Sequence, residues 1–415
     1  MSFSEWREVK VSEIGKIVTG KTPKTAISEN YGGNIPFLTP SDDMNIKKVK
    51  STARTLSEMG LNSVKNCLLP AKSICVSCIG SVLGKVVLTS EPTVTNQQIN
   101  SIVPDEKFDP DFIYYGMTIL GKHLNYLSKT STAVPIINKT TFSNFSIIVP
   151  TIEEQKSIAH ILSTLDDRIE VNNQINKTLE NMAQTIFKQW FVDFEFPNEE
   201  KEPYKSSGGE MIESELGLIP KGWVVGKLDD IATIVMGQSP KGTSYNEVGE
   251  GEVFYQGRTD FSSRFPIRRL FTTEPKRMAN DGDVLMSVRA PVGDLNVANE
   301  RCCIGRGLSA ISSSADLSSY ILYVMHDLRE RLNVYNGEGT VFGSINQKDL
   351  KSIKVISSCD NKTEIAFDEL IQPIDRMIRN NEDETRRLIN LRDRLLPKLL
   401  SGEIRVPLDE EGDAS

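Results

Sequence analysis

The stretch Gly237 to Ser244, GQSPKGTS, has the glycine spacing of a loop that cradles phosphates, but Thr243 stands where a lysine must reach them. It is not a nucleotide-hydrolysing loop. Cys75-Val76-Ser77-Cys78 has the spacing of half a zinc site, yet Cys302 and Cys303 are adjacent and the histidines (123, 160, 326) lie scattered. CVSC reads more readily as an apolar strand. Asp105-Glu106-Lys107 matches the acid and lysine of a metal-dependent nuclease superficially, without a partner acid at sensible spacing. No G-x-S-x-G elbow, H-E-x-x-H pair or dinucleotide-binding glycine fingerprint occurs, nor an Asn/Asp-Pro-Pro-Tyr/Phe stretch for gripping a base. What remains is binding chemistry. GKTPK (20–24) and GQSPKG (237–242) are Gly/Pro loops that present backbone N–H groups beside Lys21, Lys24 and Lys241, suited to contact phosphate or to form a plain turn.

Those loops sit in a chain of 415 residues, 39% hydrophobic and 25% charged, which is ordinary for globular domains. No apolar run approaches the ~20 residues of a membrane span, and MSFSEWREVK is no signal peptide, so a cytoplasmic location is expected. Six cysteines without a spaced framework are expected to be thiols. The net charge of −8 argues against phosphate binding until its distribution is considered. Residues 195–216 carry −5 and 408–415 carry −4, whereas 258–277 hold six basic residues against two acids. That basic run is either a solvated face or a contact surface.

The chain is written twice. Trp6 matches Trp223, Gly20 matches Gly237 and Pro23 matches Pro240, all at an offset of 217. VSCIGSVLGKV (76–86) answers MSVRAPVGDLN (286–296), TNQQI (95–99) answers IGRGL (304–308), and TAVPIINKTTFSNFSIIV (132–149) answers TVFGSINQKDLKSIKVI (340–356) with Asn138 opposite Asn346. The offset shrinks from 217 to 208, as small loop deletions between equivalent domains would make it. Two copies make a pseudo-symmetric pair rather than a solenoid.

Each copy ends in a helical segment. Thr151-Ile152-Glu153-Glu154 and Asn361-Lys362-Thr363-Glu364 read as capping boxes. Ile158, Leu165, Leu179 and Ile186, with Leu162, Ile169, Ala183 and Trp190, recur at multiples of seven, the pattern of a coiled-coil seam. Phe367, Ile374, Leu388 and Leu395 repeat it, with Leu370, Met377 and Leu391 expected alongside. Asn172, Asn176 and Asn381 interrupt the seams and either fix register or face solvent, and Pro373 is expected to bend or break the second helix. A helix over 152–194 would span roughly 64 Å. The fold class expected is α+β, with two similar globular domains separated by an antiparallel coiled coil. The expected parts are 1–149 (first domain), 150–195 (first long helix), 196–222 (polar linker), 223–357 (second domain), 358–402 (second long helix) and 403–415 (acidic tail).

Four stretches, PTIEEQKSIAHILSTLDDRIEVNNQINKTLE (150–180), KQWFVDFEFP (188–197), ESELGLIPKGW (213–223) and LLPKLLSGEIRV (395–406), in this order between repeated domains, make the chain similar to the specificity subunits of type I restriction-modification systems. The resemblance covers nearly the whole chain. It implies two target-recognition domains, each reading half of a split DNA site, and two helices that act as a ruler. It also implies docking of two modification subunits, which bring S-adenosylmethionine and methylate adenine, and of restriction subunits that use ATP and Mg²⁺. No catalytic residue, metal or cofactor is then expected in this chain. Candidate DNA contacts are Lys21, Lys24, Lys47, Lys48, Lys50 and Arg54 in the first domain and Lys241, Arg258, Arg264, Arg268, Arg269 and Arg289 in the second. The alternative is a coiled-coil scaffold that binds proteins without reading DNA sequence.

Overall fold

The computed structural model describes residues 6–130, 136–337 and 343–406. The architecture is α+β, and the chain forms two compact units, Met1–Asn173 with Asp383–Ser415 and Gln174–Glu382.

In the first unit, strand Arg7–Lys10 pairs antiparallel with Ser146–Val149 and so ties the start of the domain to its end. After the short helix Val11–Ile14, strand Gly15–Thr19 borders a five-stranded sheet continued by Ile99–Pro104, Ile74–Ser77, Val86–Thr89 and Lys48–Val49. A second sheet contains Tyr31–Leu38 and Thr93–Thr95, paired in parallel with Phe37 opposite Val94. Helix Pro110–Thr130 packs Phe112, Ile113 and Met117 into the core with Ile74, Val76 and Ile102. Ile74–Ser77 is buried on both faces, which is why Ile74, Cys75 and Val76 follow one another without a polar residue between them. Cys75 lies in this strand, its thiol pushed up to about 12 by burial. CVSC is packing.

The second unit repeats the plan. Strand Trp223–Lys227 pairs with Lys354–Ser358, helix Leu228–Ile231 follows, and Ala232–Met236 borders a sheet continued by Leu308–Ser313, Val284–Ser287 and Leu295–Val297. The parallel pair recurs, with Phe254 opposite Cys303. Asn138 Oδ1 accepts from Thr141 N at 2.9 Å and Asn346 Oδ1 from Asp349 N at 2.9 Å, the same N-cap starting the same short helix in each copy.

The two long helices are Ile152–Phe187, continued by a π-helical turn Lys188–Val192, and Lys362–Leu400. Within the first unit Arg168 bonds Glu384 (3.0 Å), Asn172 bonds Glu384 (2.9 Å) and Arg392 bonds Asp166 (2.7 Å), a pairing that runs antiparallel. Within the second, Asn381 donates to Asn176 at 2.8 Å. Ile158, Leu162, Ile169 and Ala183 are buried and Leu165, Leu179 and Ile186 half-buried, as are Ile374, Leu388 and Leu395 beside the fully buried Phe367. Asn172 and Asn176 are buried within the seam.

Three expectations are corrected. The companion row of the second helix is Ile371, Ile378, Thr385 and Leu399, all buried, whereas Leu370, Met377 and Leu391 are exposed. Rows three and four residues on both border a heptad position, and the buried one here contains a polar Thr385 that apolarity alone passes over. Helix Lys362–Leu400 runs unbroken through Pro373, because Pro373 and Glu369, whose carbonyl loses its donor, both face solvent. The capping boxes are incomplete: Glu154 N reaches Thr151 Oγ1 at 3.5 Å, but the Glu154 carboxylate takes Trp6 Nε1 (3.1 Å) and Arg405 (3.0 Å), and Glu364 takes Ser358 N (2.7 Å). Glu154 and Glu364 instead anchor the helices to the units.

The stretch 196–222, expected as a polar linker, folds. It forms a hairpin, Met211–Ser214 with Gly217–Pro220, and buries Phe196 and Ile219 against Trp223 in the core of the second unit. Phe191, Phe194 and Phe196 of KQWFVDFEFP all contact Trp223, with Phe196 stacked on it at 5.1 Å. LLPKLLSGEIRV does the same for the first unit: Leu396, Leu399 and Leu400 enter its core and Arg405 lies over the Trp6 ring at 4.9 Å. From residue 407 onward, the expected acidic tail lies outside the described residues.

Candidate nucleic-acid interface

Three loops meet in each unit, held by the same backbone bonds. In the first unit Gly20 N donates to Ile99 O (3.1 Å), Lys21 N to Thr95 O (2.8 Å), Cys78 N to Gln98 O (2.9 Å) and Ile137 N to Cys78 O (3.0 Å). In the second the bonds are Gly237 N to Leu308 O (2.9 Å), Gln238 N to Ile304 O (3.0 Å), Val288 N to Gly307 O (3.0 Å) and Ile345 N to Val288 O (3.1 Å). Each atom pair is the repeat equivalent of its counterpart. The shared glycine is needed for this approach: a Cβ on Gly20 would lie 2.2 Å from Asn96 O, and one on Gly237 would lie 2.1 Å from Gly305 O. Tyrosines brace the same loop, Tyr31 OH on Pro23 O (2.9 Å) and Tyr245 OH on Pro240 O (3.0 Å).

Lys21, Lys24 and Lys241 are exposed on this loop, and Arg289 directly follows Val288 at the same junction in the second unit. No described residue forms an ion pair with any of these four. An uncompensated cation on a rigid backbone is what a phosphate oxygen can meet without first displacing a carboxylate. Arg54 is also exposed and lies over the rings of Phe37 (5.6 Å) and of Tyr31 (4.5 Å), the tyrosine that braces this loop.

The other basic candidates are occupied. Lys47 is corrected from contact to structure: its buried amine bonds Asp111 (2.6 Å), Ser163 (2.7 Å) and Tyr115 OH (3.1 Å). Arg264 is corrected likewise, bonding Asp375 (2.5 Å) and Glu180 (3.4 Å) with its side chain only 6% exposed. Lys48 and Lys50 face the first long helix through Asp167 (3.2 Å) and Glu170 (2.6 Å). Arg258 pairs with Asp294, Arg268 with Glu300 and Arg269 with the buried Asp260. Four arginines of the basic run 258–277 are therefore paired with carboxylates of their own unit, and of these Arg264 alone is buried.

Two exposed residues at the junction were absent from the candidates, Gln97 and Arg306. The match of TNQQI to IGRGL already set them opposite one another, and that signal could have found them. Thr22 Oγ1 donates to Gln97 Oε1 at 2.7 Å, and Arg306 N donates to Ser239 Oγ at 3.2 Å.

The family model for the type I restriction modification DNA specificity domain matches residues 3–181 and 220–367, one segment per copy of the repeat. The putative type I restriction enzyme MjaX specificity subunit of Methanocaldococcus jannaschii is 33% identical over 307 residues, 72% of this chain and 69% of that protein. The MjaIX specificity subunit of the same organism is 28% identical over 422 residues, 97% of this chain and 94% of that one. Among solved structures, the type I restriction-modification S subunit from M. genitalium shares the fold, with a TM-score of 0.60 at 16% identity over 95% of this chain and 96% of that one.

Proposed function

Because the chain belongs to the type I restriction-modification DNA specificity family, we propose that it selects the DNA sequence for a complex whose chemistry resides in other subunits. Each repeat domain reads one half of a bipartite site. The observation that carries this reading is the three-loop junction, built twice with equivalent bonds and presenting uncompensated cations each time.

The two long helices set the spacing of the half-sites, as paired modules on one duplex require. They also dock the modification subunits, which bring S-adenosylmethionine, while restriction subunits supply ATP- and Mg²⁺-dependent cleavage. Docking is supported by apolar side chains left open on helical faces, Leu370 and Met377 in the second unit and Val171 and Leu391 in the first. The chain itself turns over nothing. Recognition and catalysis are divided: methylating a base inside a duplex requires flipping it out, and a reader that grips the neighbouring phosphates and base edges helps stabilise that distorted state.

Single-molecule methylation sequencing of a host expressing this chain with its modification subunits tests the reading. One bipartite motif is expected, and exchanging residues 1–149 for the domain of another member should alter one half only. An unchanged motif after deletion of this chain would refute it. Weak binding without sequence preference would favour the protein-only scaffold.

A further inference from the structure

We infer that positions 97 and 306 are the base-reading positions of the two domains, Gln97 taking an adenine in one half-site and Arg306 a guanine in the other. This deepens the proposed reading of DNA and rests on it.

Gln97 and Arg306 are repeat equivalents, each at the exposed tip of a loop whose flanks are pinned. On one side Thr95 O and Ile304 O receive the N–H groups of Lys21 and Gln238; on the other Gln98 O and Gly307 O receive those of Cys78 and Val288. The tip backbone is therefore held alike in both units. Only the side chain differs. A device that reads two different half-sites from one scaffold needs this combination, because base identity is carried by side-chain donors and acceptors and register by fixed backbone.

The chemistry of the two side chains is specific. Gln97 Oε1 accepts from Thr22 Oγ1 at 2.7 Å, which orients the amide and leaves a lone pair on Oε1 and both N–H groups of Nε2. That acceptor and donor match N6–H and N7 of adenine in the major groove. At Arg306 the equivalent hydroxyl, Ser239 Oγ, turns to the backbone N–H at 3.2 Å, so the main chain is fixed and the guanidinium stays open. No described residue forms an ion pair with it. Its fork matches O6 and N7 of guanine. Gly305 and Gly307 flank it closely, since a Cβ on either would lie 2.8 or 3.0 Å from Gln256 O. Among the rival arginines, Arg264 and Arg269 spend fork nitrogens on carboxylates of their own unit, and Arg258 and Arg268 are each held by a carboxylate through Nε. Lys21, Lys24 and Lys241, beside the tips, suit phosphates, which carry no sequence information.

The experiment compares assembled complexes containing the unaltered chain, Arg306→Ala, Arg306→Lys, Gln97→Ala and Lys241→Ala. Each is assayed by methylation sequencing and by competition binding to duplexes with single base-pair changes. Both Arg306 variants should relax discrimination at one G·C pair of one half-site by about 5- to 150-fold and leave the other half unchanged. Gln97→Ala should do so at one A·T pair of the other half. Arg306→Lys keeps the charge at an exposed position, so loss of reading cannot be laid to loss of folding or of phosphate attraction. The inference is overturned if the Arg306 variants weaken all duplexes uniformly, as Lys241→Ala should, or leave the motif intact. A bipartite motif lacking guanine in one half would overturn it alone, whereas no bipartite motif with the unaltered chain would overturn the proposed function as well.

Discussion

Arg264 donates to Asp375 at 2.5 Å, and Lys47, its repeat equivalent 217 residues earlier, donates to Ser163 at 2.7 Å; in each unit a buried cation on the domain body grips a long helix. Both cations lie over a tyrosine ring, Tyr323 at 5.8 Å and Tyr115 at 4.7 Å. Those tyrosines donate in turn to helix carboxylates, Tyr323 to Asp375 (3.0 Å) and Tyr115 to Asp166 (2.6 Å). The helices are thus fastened to their domains by charge and hydrogen bonds as well as by apolar packing.

Arg264→Ala should cost roughly 3 to 5 kcal/mol, because Asp375 and Glu180 are left as partly buried, uncompensated carboxylates. Guanidinium unfolding should show the loss in the transition of the second unit. Lys47→Ala should act in the same direction on the first. In complexes that remain assembled, the methylated motif should be unchanged.

Replacing Lys21, Lys24 or Lys241 by Ala should weaken binding of the assembled complex to all duplexes alike. For each phosphate contact removed, the slope of log affinity against log salt should become shallower by about 0.9. A salt titration of fluorescence anisotropy measures it. A selective effect at one base pair would show that the lysine reads sequence instead.

Asn172→Leu and Asn176→Leu test the polar layer of the seam. Both residues are buried, Asn172 bonding Glu384 at 2.9 Å and Asn176 accepting from Asn381 at 2.8 Å. Buried asparagines fix register at a cost in stability. The double variant should unfold at equal or higher denaturant while the methylated motif acquires more than one spacer length. A single unaltered spacer would mean that the asparagines do not set register.

His326 is pushed down to about 4 by burial, with the charges of Arg264 and Arg329 adding to it. Its folded value lies below the unfolded one, so the unfolded chain binds more protons between pH ~6.5 and 4, and stability is lost as pH drops through that window. The loss should be about 1 to 3 kcal/mol. Burial raises Glu180 and Asp327, which act in the opposite sense, so the informative quantity is the difference between the unaltered chain and His326→Gln. That difference should be flat above pH ~6.5 and shrink toward pH 4.

The repeat and its helices were legible in the amino-acid order because each rests on local chemistry. A glycine is required wherever two backbones touch, as at Gly20 and Gly237, and an asparagine caps the same short helix at 138 and 346. Heptad spacing announces a seam whatever lies across from it. The partner of a charge is not local. Arg264 meets Glu180 and Asp375, 84 and 111 residues away in the chain, so only the folded molecule separates an arginine that is neutralised from one, such as Arg306, that no described residue pairs. The same holds for the second row of the seam, where folding selected Ile371 and Ile378 over Leu370 and Met377. Spacing dictates which residues share a helix face, but which edge of that face is covered depends on surfaces brought in from distant parts of the chain.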